Sequence, residues 1–168
     1  MGMIGSVFFF FRLLSDGTSS NVTVLIQNNN MTIIEGQDGM NISVQGNAAA
    51  NINATVNNNT IGTGPTNPPD DNNLDAINAF VNPTLGGSKT LCFNPTNNTI
   101  TGIWDRFCRA RAFSPTGVTV PGFVTDMITT WNNKSNTAAV PPQVGQFTTG
   151  GGTLTAGPAC PLPTNPLP

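Results

Sequence analysis

Short runs in which an apolar side chain alternates with an amide or hydroxyl set the tightest limit on the fold. In Met40 to Gln45, the residues Met40, Ile42 and Val44 alternate with Asn41, Ser43 and Gln45. In Asn51 to Asn57, Ile52, Ala54 and Val56 alternate with Asn51, Asn53, Thr55 and Asn57. Asn21 to Gln27 does the same with Val22, Val24 and Ile26. A period of two places every apolar group on one face of a strand and every polar group on the other. These runs recur about every ten residues as far as residue 61, a spacing that belongs to all-β architectures.

The polar partners in this alternation are neutral. Asn and Thr each occur 23 times in 168 residues, and charged residues make up only 8%. Ordinary domains carry roughly 25% charged residues. The net charge of −2 gives no field that would recruit nucleic acid or an anionic membrane, and no nucleic acid sequence recognition is expected. Low net charge also removes the repulsion that keeps copies of a chain apart.

The expected fold is all-β, a β-sandwich or jelly roll with one short helix and extended N- and C-terminal arms. The alternative is a β-solenoid, in which Asn side chains of successive coils would stack into hydrogen-bonded ladders. The sandwich is favoured because the strand spacing is irregular and the alternation does not continue in the same form after residue 62. Residues 1–15 form an N-terminal arm or donor strand, 16–140 the β domain, and 141–168 a Pro/Gly-rich C-terminal arm. Within the domain, the Gly- and Pro-rich stretch 62–72 is an internal loop. Asn73 is placed to cap the short helix over Leu74 to Val81, with Leu74, Ile77 and Val81 on one face. Strands are expected again at 89–93, 99–104, 106–113 and 117–120.

Candidate sites are few. The chain has no His, which removes the usual catalytic triads and most zinc sites, and its eight carboxylates are sparse. No enzyme activity and no cofactor are expected. Asp71, Asn73 and Asp75 match the first three ligand positions of a calcium loop, but Ala76 stands where that loop needs Gly. Arg106, Arg109 and Arg111 hold half of the six positive charges and are expected to meet acids on a neighbouring subunit, such as Asp70, Asp71 or Asp75. Cys92, Cys108 and Cys160 allow one internal disulfide with a leftover thiol, or bonds between subunits. N-x-[ST] sequons mark Asn21, Asn30, Asn41, Asn53, Asn58, Asn97 and Asn133 as glycosylation candidates.

The apolar run Val7, Phe8, Phe9, Phe10 and Phe11 is broken by Arg12, too short to span a membrane as a helix. Its only nearby charge follows it, unlike a secretory signal. A Phe-rich strand at a chain end is suited to fill a groove in the next subunit by strand addition.

Together these features predict a structural subunit that self-assembles into an extracellular filament, appendage or surface layer. Copies of itself are the expected partner, with glycans as a second class. A viral capsid or spike protein is the first alternative. A carbohydrate-binding adhesin module, with Trp104 and Trp131 stacking on sugars, is the second.

Overall fold

A computed structural model describes residues 9–15, 20–33, 38–46, 49–63, 75–81, 89–102, 106–113, 117–121, 134–138, 147–150 and 153–164. Among these residues there are fourteen strands and no helix. They are β1 (Phe9–Ser15), β2 (Ser20–Gln27), β3 (Asn30–Ile33), β4 (Met40–Gly46), β5 (Ala50–Asn57), β6 (Thr60–Thr63) and β7 (Asp75–Val81). They continue as β8 (Lys89–Thr96), β9 (Thr99–Thr101), β10 (Arg106–Phe113), β11 (Gly117–Pro121), β12 (Thr137–Ala138), β13 (Phe147–Gly150) and β14 (Thr153–Gly157).

The chain lays these strands down in threes. The first sheet has the order β1-β4-β7-β10-β13, the second β14-β11-β8-β5-β2 and the third β12-β9-β6-β3. Each sheet therefore takes every third strand; each of the first four circuits adds one strand to each sheet, and β13 and β14 extend the first two. All described pairings are parallel. The jelly roll expected from the sequence is built from antiparallel neighbours, and no two consecutive described strands pair as a hairpin.

In-register stacking turns the period-two pattern into continuous apolar rows. On the second sheet Val22, Ile52 and Leu91 align, as do Val24, Ala54 and Phe93. On the third sheet Met31, Ile61 and Ile100 align, and all three are buried. On the first sheet Met40, Ile77 and Cys108 form one buried row, and Ile42 aligns with Ala79. Each fully buried large apolar side chain contributes about 1.5–3 kcal/mol.

A two-residue corner joins the second and third strand in each of the first three circuits, and an equivalent pair precedes β12 in the fourth. It reads Asn28-Asn29, Asn58-Asn59, Asn97-Asn98 and Ser135-Asn136. The first residue of each corner is left-handed, with φ of 58°, 54°, 55° and 57°. Asn pays less than other L-residues for that conformation, because its short amide bonds locally. The second residue turns its side chain inward and lies on the same residue of the next circuit. Asn59, Asn98 and Asn136 are buried.

These corners explain the irregular spacing. Successive corner asparagines are separated by 30, 39 and 38 residues. The step from 30 to 39 lies wholly in two connectors. Eleven residues separate β6 from β7 where six separate β3 from β4, and seven separate β7 from β8 where three separate β4 from β5. The strands themselves keep their lengths. Insertions confined to connectors leave the stacked register untouched.

One expectation is corrected. Residues 75–81 form strand β7 and not a helix; Leu74 lies outside the described residues. Ile77, Ala79 and Val81 satisfy a period of two as well as Leu74, Ile77 and Val81 satisfy a helical one. Pairing with β4 on one side and β10 on the other decides between them, a tertiary override of local preference. The stretch from residue 141 includes β13, which extends the first sheet, and β14, which extends the second. The expected loop over 62–72 begins after β6, which includes Gly62 and Thr63.

The two corner positions have opposite tolerances. Asn98→Ala strips hydrogen bonds from several buried partners, each worth about 1–3 kcal/mol when left unpaired, so a loss of roughly 3 kcal/mol or more is expected in chemical denaturation. Asn97→Gly should stay within about 0.5 kcal/mol, whereas Asn97→Val should cost about 1–2 kcal/mol through its left-handed backbone.

Candidate functional site

The corner asparagines form a hydrogen-bonded ladder along the stack. The Asn29 backbone N–H and Nδ2 both donate to Asn59 Oδ1, at 3.1 and 2.9 Å. The Asn59 N–H and Nδ2 donate in the same way to Asn98 Oδ1, at 3.0 and 3.1 Å. The Asn98 N–H and Nδ2 donate to Asn136 Oδ1, at 2.8 and 3.0 Å. Each interior amide also reaches back one circuit to a strand-end carbonyl. Asn59 Nδ2 donates to Ile26 O at 3.0 Å, Asn98 Nδ2 to Val56 O at 2.9 Å and Asn136 Nδ2 to Pro95 O at 3.1 Å. The ladder is polar in the geometric sense, because every rung donates toward the later circuit and accepts from the earlier one.

A second set of ladders lies on the surface. On the outer face of the second sheet, Asn21, Asn51 and Thr90 share one register row and are exposed. Asn51 Nδ2 donates to Asn21 Oδ1 at 2.7 Å, and Thr90 Oγ1 donates to Asn51 Oδ1. Asn58 Nδ2 donates to Asn28 Oδ1 at 2.8 Å, and Asn97 Nδ2 to Asn57 Oδ1 at 3.0 Å. Lys134 Nζ donates to Asn94 Oδ1 at 2.7 Å, and partial burial lowers the Lys134 pKa. The result is an array of amides and hydroxyls whose orientations are set by their neighbours.

The first sheet carries the charged cluster. Asp38 precedes β4 and accepts the Asp75 backbone N–H at 2.9 Å through Oδ1. Its Oδ2 accepts Asn78 Nδ2 at 2.8 Å and Asn41 Nδ2 at 3.1 Å. The Asp75 carboxylate, 1% exposed, faces Arg109 Nη1 at 3.8 Å. Arg109 thus faces an acid of its own chain, because β7 and β10 are adjacent strands. Arg106 and Arg111 occupy register positions opposite Asp75 and Phe80.

The structure joins Cys92 to Cys160 in a disulfide, with Cα atoms 5.6 Å apart and a sequence separation of 68. Cys92 belongs to β8, and Cys160 follows β14, two strands away in the same sheet. The segment after β14 therefore folds back across the sheet and is fastened there. This fixes the described part of the C-terminal arm to its own chain. A loop of that size constrains the unfolded chain by about 4 kcal/mol. Cys108 is a buried free thiol whose pKa is raised, first by desolvation and then by the nearby Asp75 carboxylate.

Other expected sites divide clearly. Of the calcium candidates, Asp71 and Asn73 lie outside the described residues, and Asp75 faces Arg109. No group of three His, Cys, Asp or Glu residues placed to hold a metal occurs among the described residues. In the proposed assembly strand, Val7 and Phe8 lie outside the described residues, while Phe9, Phe10 and Phe11 align with Met40, Asn41 and Ile42 of β4. Among the sequons, Asn21, Asn30, Asn58 and Asn97 are exposed, Asn41 and Asn53 are half-buried, and Asn133 lies outside the described residues. Trp104 and Trp131 also lie outside them. No helix of the described residues is long and apolar enough to cross a membrane.

Sequence reasoning missed Asp38, the fully buried Lys89 and the ladder positions themselves. The ladder had a signal. A left-handed-tolerant residue, then Asn, then Asn or Thr recurs at 28–30, 58–60, 97–99 and 135–137. Comparison with protein families, with curated proteins and with solved structures finds no match.

The thiols give a direct test. The native, non-reduced protein should show no fast-reacting thiol, the denatured non-reduced protein one, and the denatured reduced protein three. Above about pH 9, where the unfolded Cys108 thiol ionises and the folded one keeps its proton, stability should fall with pH. Cys108→Ala should flatten that fall in denaturation curves taken between pH 8 and 10.

Proposed function

We propose that the three parallel sheets are the faces of a β-solenoid, and that this solenoid is a structural subunit which self-assembles into an extracellular filament, appendage or surface layer. The asparagine ladder carries this reading. It runs along the stacking axis and gives the molecule a repeating internal scaffold. Repeat architectures of this kind extend by adding like units on like units. The surface is neutral, so close packing of copies meets little charge repulsion. The disulfide Cys92–Cys160 suits an oxidising exterior. Exposed sequons at Asn21, Asn30, Asn58 and Asn97 suit glycans where the host attaches them. A capsid or spike protein would use the same scaffold in a closed particle.

A second reading, the carbohydrate-binding module, is favoured by one observation. The exposed row Asn21, Asn51 and Thr90 offers amide and hydroxyl groups already held in place by their own hydrogen bonds. Little side-chain entropy would be lost on binding a neutral polyhydroxylated chain.

Electron microscopy with sedimentation velocity separates these readings. The purified protein should form filaments, sheets or closed particles as concentration rises. A species that stays monomeric to millimolar concentration removes the structural-subunit reading. Loss of glycan-array binding on Asn51→Ala, at unchanged fold, would then support the binding module.

A further inference from the structure

Resting on the self-assembly reading, we infer that copies of this chain add head to tail, the last circuit of one copy stacking on the first circuit of the next. The interface on the receiving copy is the open edge formed by β1, β2 and β3.

These three strands each end their sheet, so each has only one strand neighbour among the described residues. Ile26 and Met31 of these strands stay buried, but burial falls over the rest of this end. Ile52, Ala54, Leu91 and Phe93 are fully buried, but Val22 and Val24 in the same rows are only half-buried. Leu25, also on β2, is 36% exposed. Asn29 is exposed, whereas its ladder equivalents Asn59, Asn98 and Asn136 are buried. Among the described residues the edge is also unguarded. Natural sheets protect edges with charge or Pro, yet β2 and β3 carry neither, and Arg12 is the one charged residue in β1 to β3.

The geometry fits one occupant. Covering this edge requires parallel strands about 4.8 Å away, an apolar row to complete Val22 and Val24, and donors facing Asn29 Oδ1. Each of the first three circuits meets those requirements toward the circuit that follows it, and at the far end the sheets close with β13, β14 and β12, the third sheet one strand shorter among the described residues. A second copy in the same orientation therefore continues the first two sheets directly. Two first circuits placed face to face would oppose acceptor to acceptor along the ladder and could not keep the strands parallel. The ladder's direction thus selects a heterologous contact, which does not close on itself and generates a filament. With five strands in the first sheet, the axial repeat is about 24 Å at ~4.8 Å per strand.

Two edge variants and one control test this. Val24→Glu places a carboxylate in the half-buried row, and Leu25→Lys places a cation on the exposed part of the same strand, where folding tolerates it. Thr99→Glu places a carboxylate on an exposed position of β9, which is flanked by β6 and β12 and lies away from this edge. Expected is a tenfold or greater rise in the critical concentration for Val24→Glu and Leu25→Lys, with native circular dichroism and thiol counts, and no change for Thr99→Glu. Fibre diffraction of the native protein should put the ~4.8 Å reflection on the meridian. If Leu25→Lys assembles like the native chain, or if that reflection lies on the equator, head-to-tail stacking is wrong while self-assembly stands. If the native chain does not assemble at all, both fall together.

Discussion

The amide ladder is the interaction on which the rest of the structure depends. A parallel circuit must turn its chain sharply inside the molecule, which leaves backbone donors and acceptors buried at each corner. An unpaired group there costs about 1–3 kcal/mol. Asn solves this at one position, since one side chain offers both an acceptor and two donors. Asn59 and Asn98 each accept from the earlier circuit, donate to the later one and close a strand-end carbonyl. Gln would add a methylene and lose the register, and Asp would place acceptors against carbonyls. The corner thus demands Asn specifically, and the residue before it must accept a left-handed backbone.

Once the corners are tied, the connectors become free to vary. The nine-residue difference between successive circuits sits in the loops before β7 and before β8, and the rows on either side stay in register. Loop closure entropy grows slowly with length, so such insertions cost little. The stack is held by neighbours only, circuit against circuit. The Cys92–Cys160 bond is the exception, because it ties the segment after the last strand of the second sheet back to the third circuit. It restrains the later circuits, which follow the last long corner run of asparagines.

How much of this could be read beforehand depends on which symmetry carried the information. Period-two alternation is local, and β2, β4 and β5 were plain from it. The stacking symmetry is not local. Its period shifts from 30 to 39 residues, so searching for a fixed repeat hides it. The triplets at 28–30, 58–60, 97–99 and 135–137 carry it, but in a chain with 23 Asn they do not stand out by composition. β7 was misread as a helix because Leu74, Ile77 and Val81 match helical spacing, and only its two strand neighbours reveal otherwise. The pairing of Arg109 with Asp75 is of the same kind. The two residues are 34 positions apart and become partners only through the β7–β10 register.

Neutrality and stacking are linked physically. In a parallel stack every outward residue lies about 4.8 Å from its counterpart in the next circuit. A charge at a repeated position would then sit against like charges above and below, with several such repulsions per row. Amides and hydroxyls instead bond to their counterparts, as Asn51 does to Asn21 and Asn58 to Asn28. The scarcity of charge is therefore a condition of the architecture as much as a property of its surroundings. Among the described residues, charged groups meet partners of a different kind. Arg109 faces Asp75 across one strand boundary, and Lys134 bonds Asn94 at the one corner where a cation replaces the neutral residue. The same constraint passes to any second copy laid on the open edge, since it would continue these rows with no change of chemistry.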